Sequence, residues 1–312
     1  MTDFLVELAK RRNPSLAGML VTGADAEAEA MPERRLVDVS QLSPSDVLAR
    51  YQKRQSEWQT IPADPSGNHL RLLPAGVTIW SGYPGEGKTT QLRQMAIAMA
   101  GRGQPTFFAS LEEDPEDLLL RLCMVARGVR EVQHEEMFGD FLHWSRERLF
   151  VWGVVGNASG SEVLAVIRSL ARRGLKQAVI DSLMCLDVAN DDFEKQRVFA
   201  NAVAATARVS GVHIHLVVHP RKIISRDIDP DINDVAGARE IAGIADNVLF
   251  VKRGPEEMGT EGAKSSVVHV LKNRHGGWCG KLSAFFRKDC GQVHDRPDLP
   301  YPINYTDGRP RG

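Results

Sequence analysis

Gly82-Tyr83-Pro84-Gly85-Glu86-Gly87-Lys88-Thr89 decides the fold class of this chain. The pattern G-x-x-x-x-G-K-[ST] has a mechanical meaning: its glycines let consecutive backbone N–H groups close on phosphate oxygens at a helix N-terminus. It needs a buried strand before it and a helix after it. Val77-Thr78-Ile79-Trp80 supplies the first, and the stretch from Gln91 to Ala100, rich in Met, Ala and Ile, supplies the second. Lys88 is then placed to reach the β- and γ-phosphates, the Thr89 hydroxyl to hold Mg²⁺, and Thr90 continues the phosphate-binding run. The stretch predicts a nucleoside triphosphate site.

Composition bounds what surrounds that site. A chain of 312 residues accommodates one large α/β domain plus an appendage, and 43% hydrophobic residues is ordinary for a globular protein. The formal charge of -1 leaves no global basic field, so contact with a nucleic acid must come from a local patch. Cys123, Cys185, Cys279 and Cys290 form no C-x-x-C pair, which argues against a zinc ribbon and for reduced thiols. There is no apolar run of bilayer-spanning length and no signal-peptide core, so no membrane partner and a cytoplasmic location are expected.

Along the chain, residues 1–72 read as an N-terminal extension. It ends in an amphipathic linker helix at about 43–58, where Ser43 fits an N-cap, Pro44 the first helical position, and Val47, Leu48, Tyr51 and Trp58 fall near one face. That helix either packs on its own domain or docks on another subunit. Pro62, Pro65 and Gly67 break the chain before the strand at Val77. Residues 73–296 alternate strands and helices, the pattern of a mostly parallel central sheet flanked by helices, and residues 297–312 read as a tail. Ser159 and Glu162 suggest a capping box for a helix ending at Gly174. Strands are expected at 105–110, 149–152, 177–180, 212–218, 247–251, 266–271 and 282–286.

Three further features carry chemistry. Asp181 ends the strand Ala178-Val179-Ile180, where a carboxylate can complete the Mg²⁺ shell beside Thr89, although an aspartate ending an apolar strand is common by itself. Hydrolysis also needs a group that orients and deprotonates water. Glu112 and Glu113 follow the strand Phe107-Phe108-Ala109-Ser110-Leu111, and either can face the phosphate loop or cap the helix that starts near Pro115. Arg221, Lys222 and Arg226 follow His219 in a polar loop, diluted by Asp227, Asp229 and Asp231.

The order of these motifs is more specific than any one of them. Gly82 to Thr89, Ser110-Leu111-Glu112-Glu113, Val179-Ile180-Asp181, Val218-His219-Pro220-Arg221-Lys222, Asp234-Val235-Ala236-Gly237-Ala238 and Leu271-Lys272-Asn273-Arg274 together resemble the RecA-like motor domain of ring helicases. The helicase half of phage primase-helicases and Twinkle-type enzymes is the nearest likeness, with the DnaB-like replicative helicases a step further away. The resemblance spans roughly Leu36 to Gln292 and implies a RecA-like P-loop NTPase core using ATP or dTTP with Mg²⁺.

It also implies residue roles: Glu112 as catalytic base, His219 as γ-phosphate sensor, and Lys272 and Arg274 as a pair reaching into a neighbouring subunit, Arg274 as the trans arginine finger. Read alone, His219 is equally a hydrogen-bonded structural histidine and Lys272-Asn273-Arg274 a solvated strand end. The loop after His219 matches the family's central-channel loop, which makes Arg221 and Lys222 the candidate contacts to single-stranded DNA phosphates. Phe286 is placed near the base as an aromatic is in relatives, or packs as a core residue beside Phe285.

By this resemblance the chain is expected to form a homohexameric ring that unwinds duplex DNA in replication. It lacks a primase module and a DnaB-type helical collar, so primer synthesis belongs to a separate primase, working beside a replicative polymerase. A RecA-like recombination ATPase or a KaiC-like switch ATPase shares the sheet and the loop and is the alternative.

Overall fold

The computed structural model describes residues 39–154, 156, 158–187, 193–221, 228–236, 241–255, 263–298 and 302–307. Among them nine strands form one sheet in the order β3-β2-β4-β5-β1-β6-β7-β8-β9. These are β1 (Val77–Ser81), β2 (Thr106–Ser110), β3 (Leu149–Val151), β4 (Gln177–Asp181), β5 (His213–Val217), β6 (Asn247–Arg253), β7 (Ala263–Asn273), β8 (Gly280–Arg287) and β9 (Val293–His294). From β3 to β6 the neighbours run parallel, whereas β6 through β9 pair antiparallel. The helices are α1 (Pro44–Ser56), α2 (Lys88–Gly101), α3 (Pro115–Arg127), α4 (Glu135–Ser145), α5 (Gly160–Ala171), α6 (Phe193–Ser210) and the short α7 (Ile241–Ile244). The mixed α/β class with a mostly parallel central sheet is as expected from the alternation of motifs.

Strand alternation divides the core into two layers. Ile79, Phe107, Ile180, Ile214 and Leu216 face one side and pack with α5, α6 and α7. Trp80, Phe108, Val179, Val217 and Leu249 face the other and pack with α2, α3 and α4. Because both faces are covered, the central strands read as nearly continuous apolar runs. The chain leaves β1 toward β2 on one side and later places β6 on the other, so the order reverses beside β1, where an open α/β sheet forms its binding crevice.

The second layer holds a polar row that the apolar pattern concealed. Trp80 donates its indole N–H to His215 Nδ1 at 3.1 Å, so the His215 proton sits on Nε2 and is donated to Gln177 Oε1 at 3.0 Å. His213 donates from Nδ1 to the Leu73 carbonyl at 2.6 Å and accepts from the Thr78 hydroxyl at 2.8 Å, which itself accepts from Asn247 Nδ2 at 3.1 Å. Both imidazoles are completely buried and neutral, and burial pulls His213 down to about 4 and His215 well below the ordinary range. The unfolded chain protonates these rings near pH 6.5 while the fold resists until about 4, so their contribution is complete above 6.5 and is lost as pH falls from 6.5 to 4. For His213 that amounts to about 3 kcal/mol. The urea midpoint is expected to drop between pH 7 and 4.5, and a His213→Gln variant to show a shallower drop.

Local sequence signals held unevenly. Ser43 caps α1 through its side chain, accepting from Asp46 N at 3.4 Å, with Pro44 opening the helix. The capping box expected at Ser159 and Glu162 is not formed: the Ser159 hydroxyl pairs with that of Ser161, and Gly160 N donates instead to Asp187 Oδ1 at 2.9 Å. None of the residues of α1 is buried, and Val47, Leu48 and Tyr51 are 47%, 58% and 62% exposed. The segment after α1 turns onto the body instead, where Ile61, Leu70 and Leu72 are buried and Asp64 accepts from three backbone N–H groups.

Candidate active site

The phosphate loop connects β1 to α2. Gly82 has φ +142°, and a Cβ there would lie 2.2 Å from the Val251 carbonyl oxygen, so only glycine lets the loop leave β1 against β6. Gly87 has φ +99°, caps α2 without any side-chain hydrogen bond, and faces open space. The first N–H groups of α2 are thereby presented around an unobstructed hollow, the arrangement that binds phosphate. Lys88 folds back along the loop and donates to the carbonyls of Gly82 at 2.7 Å and Tyr83 at 2.9 Å. Burial lowers its pKa, opposed by the charges of Asp181, Glu112 and Glu86. Glu86 accepts from Arg253 N and braces the loop against the end of β6. Pro84 and Gly85 complete the turn.

The carboxyl ends of β1, β2, β4 and β5 bring the other groups to the same edge. Thr89 donates its hydroxyl to Asp181 Oδ2 at 2.8 Å. Burial raises the Asp181 pKa, against the pull of that hydrogen bond. A hydroxyl and a buried carboxylate, both hard oxygen donors beside the phosphate hollow, fit Mg²⁺. No other grouping of three or more His, Cys, Asp or Glu residues suited to a metal occurs among the described residues.

The structure separates the two glutamates that local sequence left open. Glu113 is locked between Arg93 of α2 at 2.6 Å and Arg121 of α3 at 2.5 Å. Glu112 turns toward the crevice, accepts from the Ser182 hydroxyl at 2.6 Å and lies 3.7 Å from His219 Nε2. The attraction to His219, aided by Ser182 and Lys88 and opposed by partial burial, holds its carboxyl down at about 2. Neither glutamate caps α3, whose N-cap is Asp114. Ser182 carries no sequence signal of its own; only the fold of the chain after β4 brings its hydroxyl to Glu112.

His219 leads directly into the loop that follows β5. Ala236 N donates to the His219 carbonyl at 3.1 Å, and Arg221 N to the Asp234 carbonyl at 2.7 Å, so the loop is clamped at its base. The Arg221 side chain is exposed there; Lys222 and Arg226 lie outside the described residues. Two of the acids expected to dilute the loop's charge are occupied: Asp229 pairs with Lys281 at 2.7 Å, and Asp231 caps the turn at Ile232–Asp234.

Lys272 and Arg274 are not brought to this edge. β7 pairs Lys272 with Val248 near the start of β6, at the end of the sheet opposite the phosphate loop. Lys272 Nζ donates to the Ala242 carbonyl at 2.8 Å. Arg274 bonds Asp246 Oδ1 at 3.2 Å and the Gly243 carbonyl at 3.2 Å, and Asp246 Oδ2 accepts from Val77 N at 3.0 Å. The strand from Val77 to Ser81 at about 3.3 Å per residue sets about 13 Å between that anchor and the loop. Phe286 combines both expected settings: it packs against the second core layer and lines a cavity of about 190 Å³ beside Gly85, Gly87 and Thr90.

Two solved structures share the arrangement at low sequence identity. The isolated ATPase domain of a helicase aligns with a TM-score of 0.66 at 17% identity, covering 80% of this chain and 97% of that one. A DnaB-like replicative helicase, solved with regard to its interactions with primase, aligns with a TM-score of 0.63 at 18% identity, covering 94% of this chain and 78% of that one. Among the described residues no helix is long and apolar enough to cross a membrane. The family described as AAA domain matches residues 48–223, more than half of the chain. With that match, the RecA-like fold and the phosphate loop in place, the chain belongs to the AAA domain family and is a P-loop NTPase.

Proposed function

We propose that this chain is the motor subunit of a head-to-tail ring that hydrolyses ATP or dTTP, travels on single-stranded DNA and separates the duplex in replication. The observation that carries the reading is the placement of Lys272 and Arg274. They stand at the opposite end of β1 from the chain's own phosphate loop, so the nucleotide within their reach is that of a second copy. The exposed apolar face of α1 supports the same assembly, as a surface for the neighbouring subunit. Six subunits, a separate primase and a replicative polymerase complete the picture by resemblance to the ring helicases.

In this reading Lys88 binds the β- and γ-phosphates, and Thr89 with Asp181 holds Mg²⁺, which supplies positive charge to the phosphates. Glu112 orients and deprotonates the attacking water, and His219, in contact with Glu112, transmits the state of the site to the loop base at Arg221. Arg221 and Lys222 contact DNA phosphates, where charge rather than base identity sets affinity. Arg274 and Lys272 stabilise charge in the neighbour's transition state.

Phosphate release from ATP and dTTP, measured over a range of protein concentrations with and without single-stranded DNA, tests the reading. The specific activity is expected to rise with DNA and to fall by about 10³ on dilution to monomers, the effect of losing a finger supplied in trans. Hydrolysis indifferent to both DNA and concentration would point to a switch ATPase.

A further inference from the structure

We propose that Gln91 reads the edge of the nucleobase and makes this site prefer adenine to guanine nucleotides. The inference rests on the nucleotide reading above and extends it to a residue with no assigned role. Gln91 lies in the first turn of α2, where its backbone N–H bonds the Gly87 carbonyl at 3.0 Å. Its side chain is only 1% exposed, yet neither Oε1 nor Nε2 has a hydrogen-bond partner. Among the described residues it alone leaves both a buried donor and a buried acceptor unpaired on one side chain. One turn further along α2, Gln94 shows the usual outcome: it donates to the Val293 carbonyl at 2.6 Å and accepts from Val293 N at 2.5 Å. Buried amides are ordinarily satisfied in this way, so an unpaired one marks a position where a partner belongs.

The partner has room. Gln91 lines the cavity of about 190 Å³ that it shares with Thr90, Arg253, Lys264, Ser266 and Phe286. An ordered water needs only about 10–15 Å³. Because Gly85, Glu86, Gly87 and Thr90 belong to the same wall, a base tethered through its sugar to a triphosphate on the loop is delivered into this cavity. Phe286 offers the base a ring face, and Gln91 offers a donor and an acceptor side by side. A glutamine amide matches the N6–H donor and N7 acceptor of adenine, whereas guanine presents two acceptors, N7 and O6, along the same edge. The glutamine carbonyl then faces an acceptor and stays unpaired.

The test is equilibrium binding of ATP, GTP and inorganic tripolyphosphate to the full chain, for the natural protein and for Gln91→Leu. Natural protein is expected to favour ATP over GTP by about five- to 150-fold, the range one bidentate pair confers, and Gln91→Leu to bring the ratio near one. An unchanged ratio in Gln91→Leu, or no preference in the natural protein, would overturn the inference while leaving the phosphate site standing. Failure of natural protein to bind even tripolyphosphate would instead remove the nucleotide site and the inference with it. Should Gln91→Leu not fold by circular dichroism, the isosteric Gln91→Glu serves: it sets a carboxylate against adenine N7, and retention of the ATP preference would reject the proposal.

Discussion

Replacing Glu112 by glutamine is expected to lower the hydrolysis rate by about 10²–10⁴-fold while nucleotide binding persists, the loss typical of a positioned general base. The geometry makes the substitution a clean probe. Glutamine keeps an oxygen that can accept from the Ser182 hydroxyl, now 2.6 Å from Glu112 Oε1, and removes only charge and basicity. The side chain is 52% exposed, so the change should shift stability by no more than about 0.5 kcal/mol. With His219 beside it the carboxyl is held at about 2, ionised at any working pH, so the variant differs from natural protein in charge across the whole usable range. Phosphate release measured beside a binding titration checks the outcome. A loss of less than tenfold would assign the base to another group.

Arg274→Ala is expected to cost about 10³–10⁵ in turnover, the contribution of an arginine finger. Reduced activity alone does not separate action in cis from action in trans, but mixing does. Neither Arg274→Ala nor Glu112→Gln is active by itself under this reading. Combined, an arginine from the Glu112→Gln copy can complete the site of an Arg274→Ala copy, and a random equal mixture makes about one quarter of the head-to-tail contacts complete. Recovery of activity on mixing establishes trans supply. No recovery, with both variants still assembling, would return Arg274 to a structural role in its ion pair with Asp246.

The sequence made the central sheet legible because its strands are buried on both faces and its helices begin after strong punctuation. Pro115 and the glycines at 82, 85 and 87 mark element ends by local backbone chemistry, which needs no knowledge of the rest of the fold. What stayed hidden is non-local. Glu112 and Glu113 are indistinguishable until Arg93 and Arg121, from two different helices, take up the second. Ser159 and Glu162 match a capping box, but Asp187 outcompetes it from 27 residues away. His213 and His215 hide inside an apolar strand because the partners that hold them neutral, Thr78, Trp80 and Gln177, come from neighbouring strands. The helices at Glu135–Ser145 and Phe193–Ser210 escape a sequence reading, having none of the Pro or capping-box signals that mark the others. The apolar face of α1 was readable as a pattern, whereas its exposure was not.

The opposed placement of the phosphate loop and Arg274 on β1 gives each subunit a direction. Units joined through opposed ends form a row with a leading and a trailing member, and in an open row of n copies one loop and one arginine stay unmatched. Such a row has n−1 complete sites, and closure restores the last. Threading a DNA strand without free ends requires the row to be open, so loading and full output cannot coincide. The gap falls at a silent site, and the interface that must reclose is the one that gains a catalytic centre by doing so.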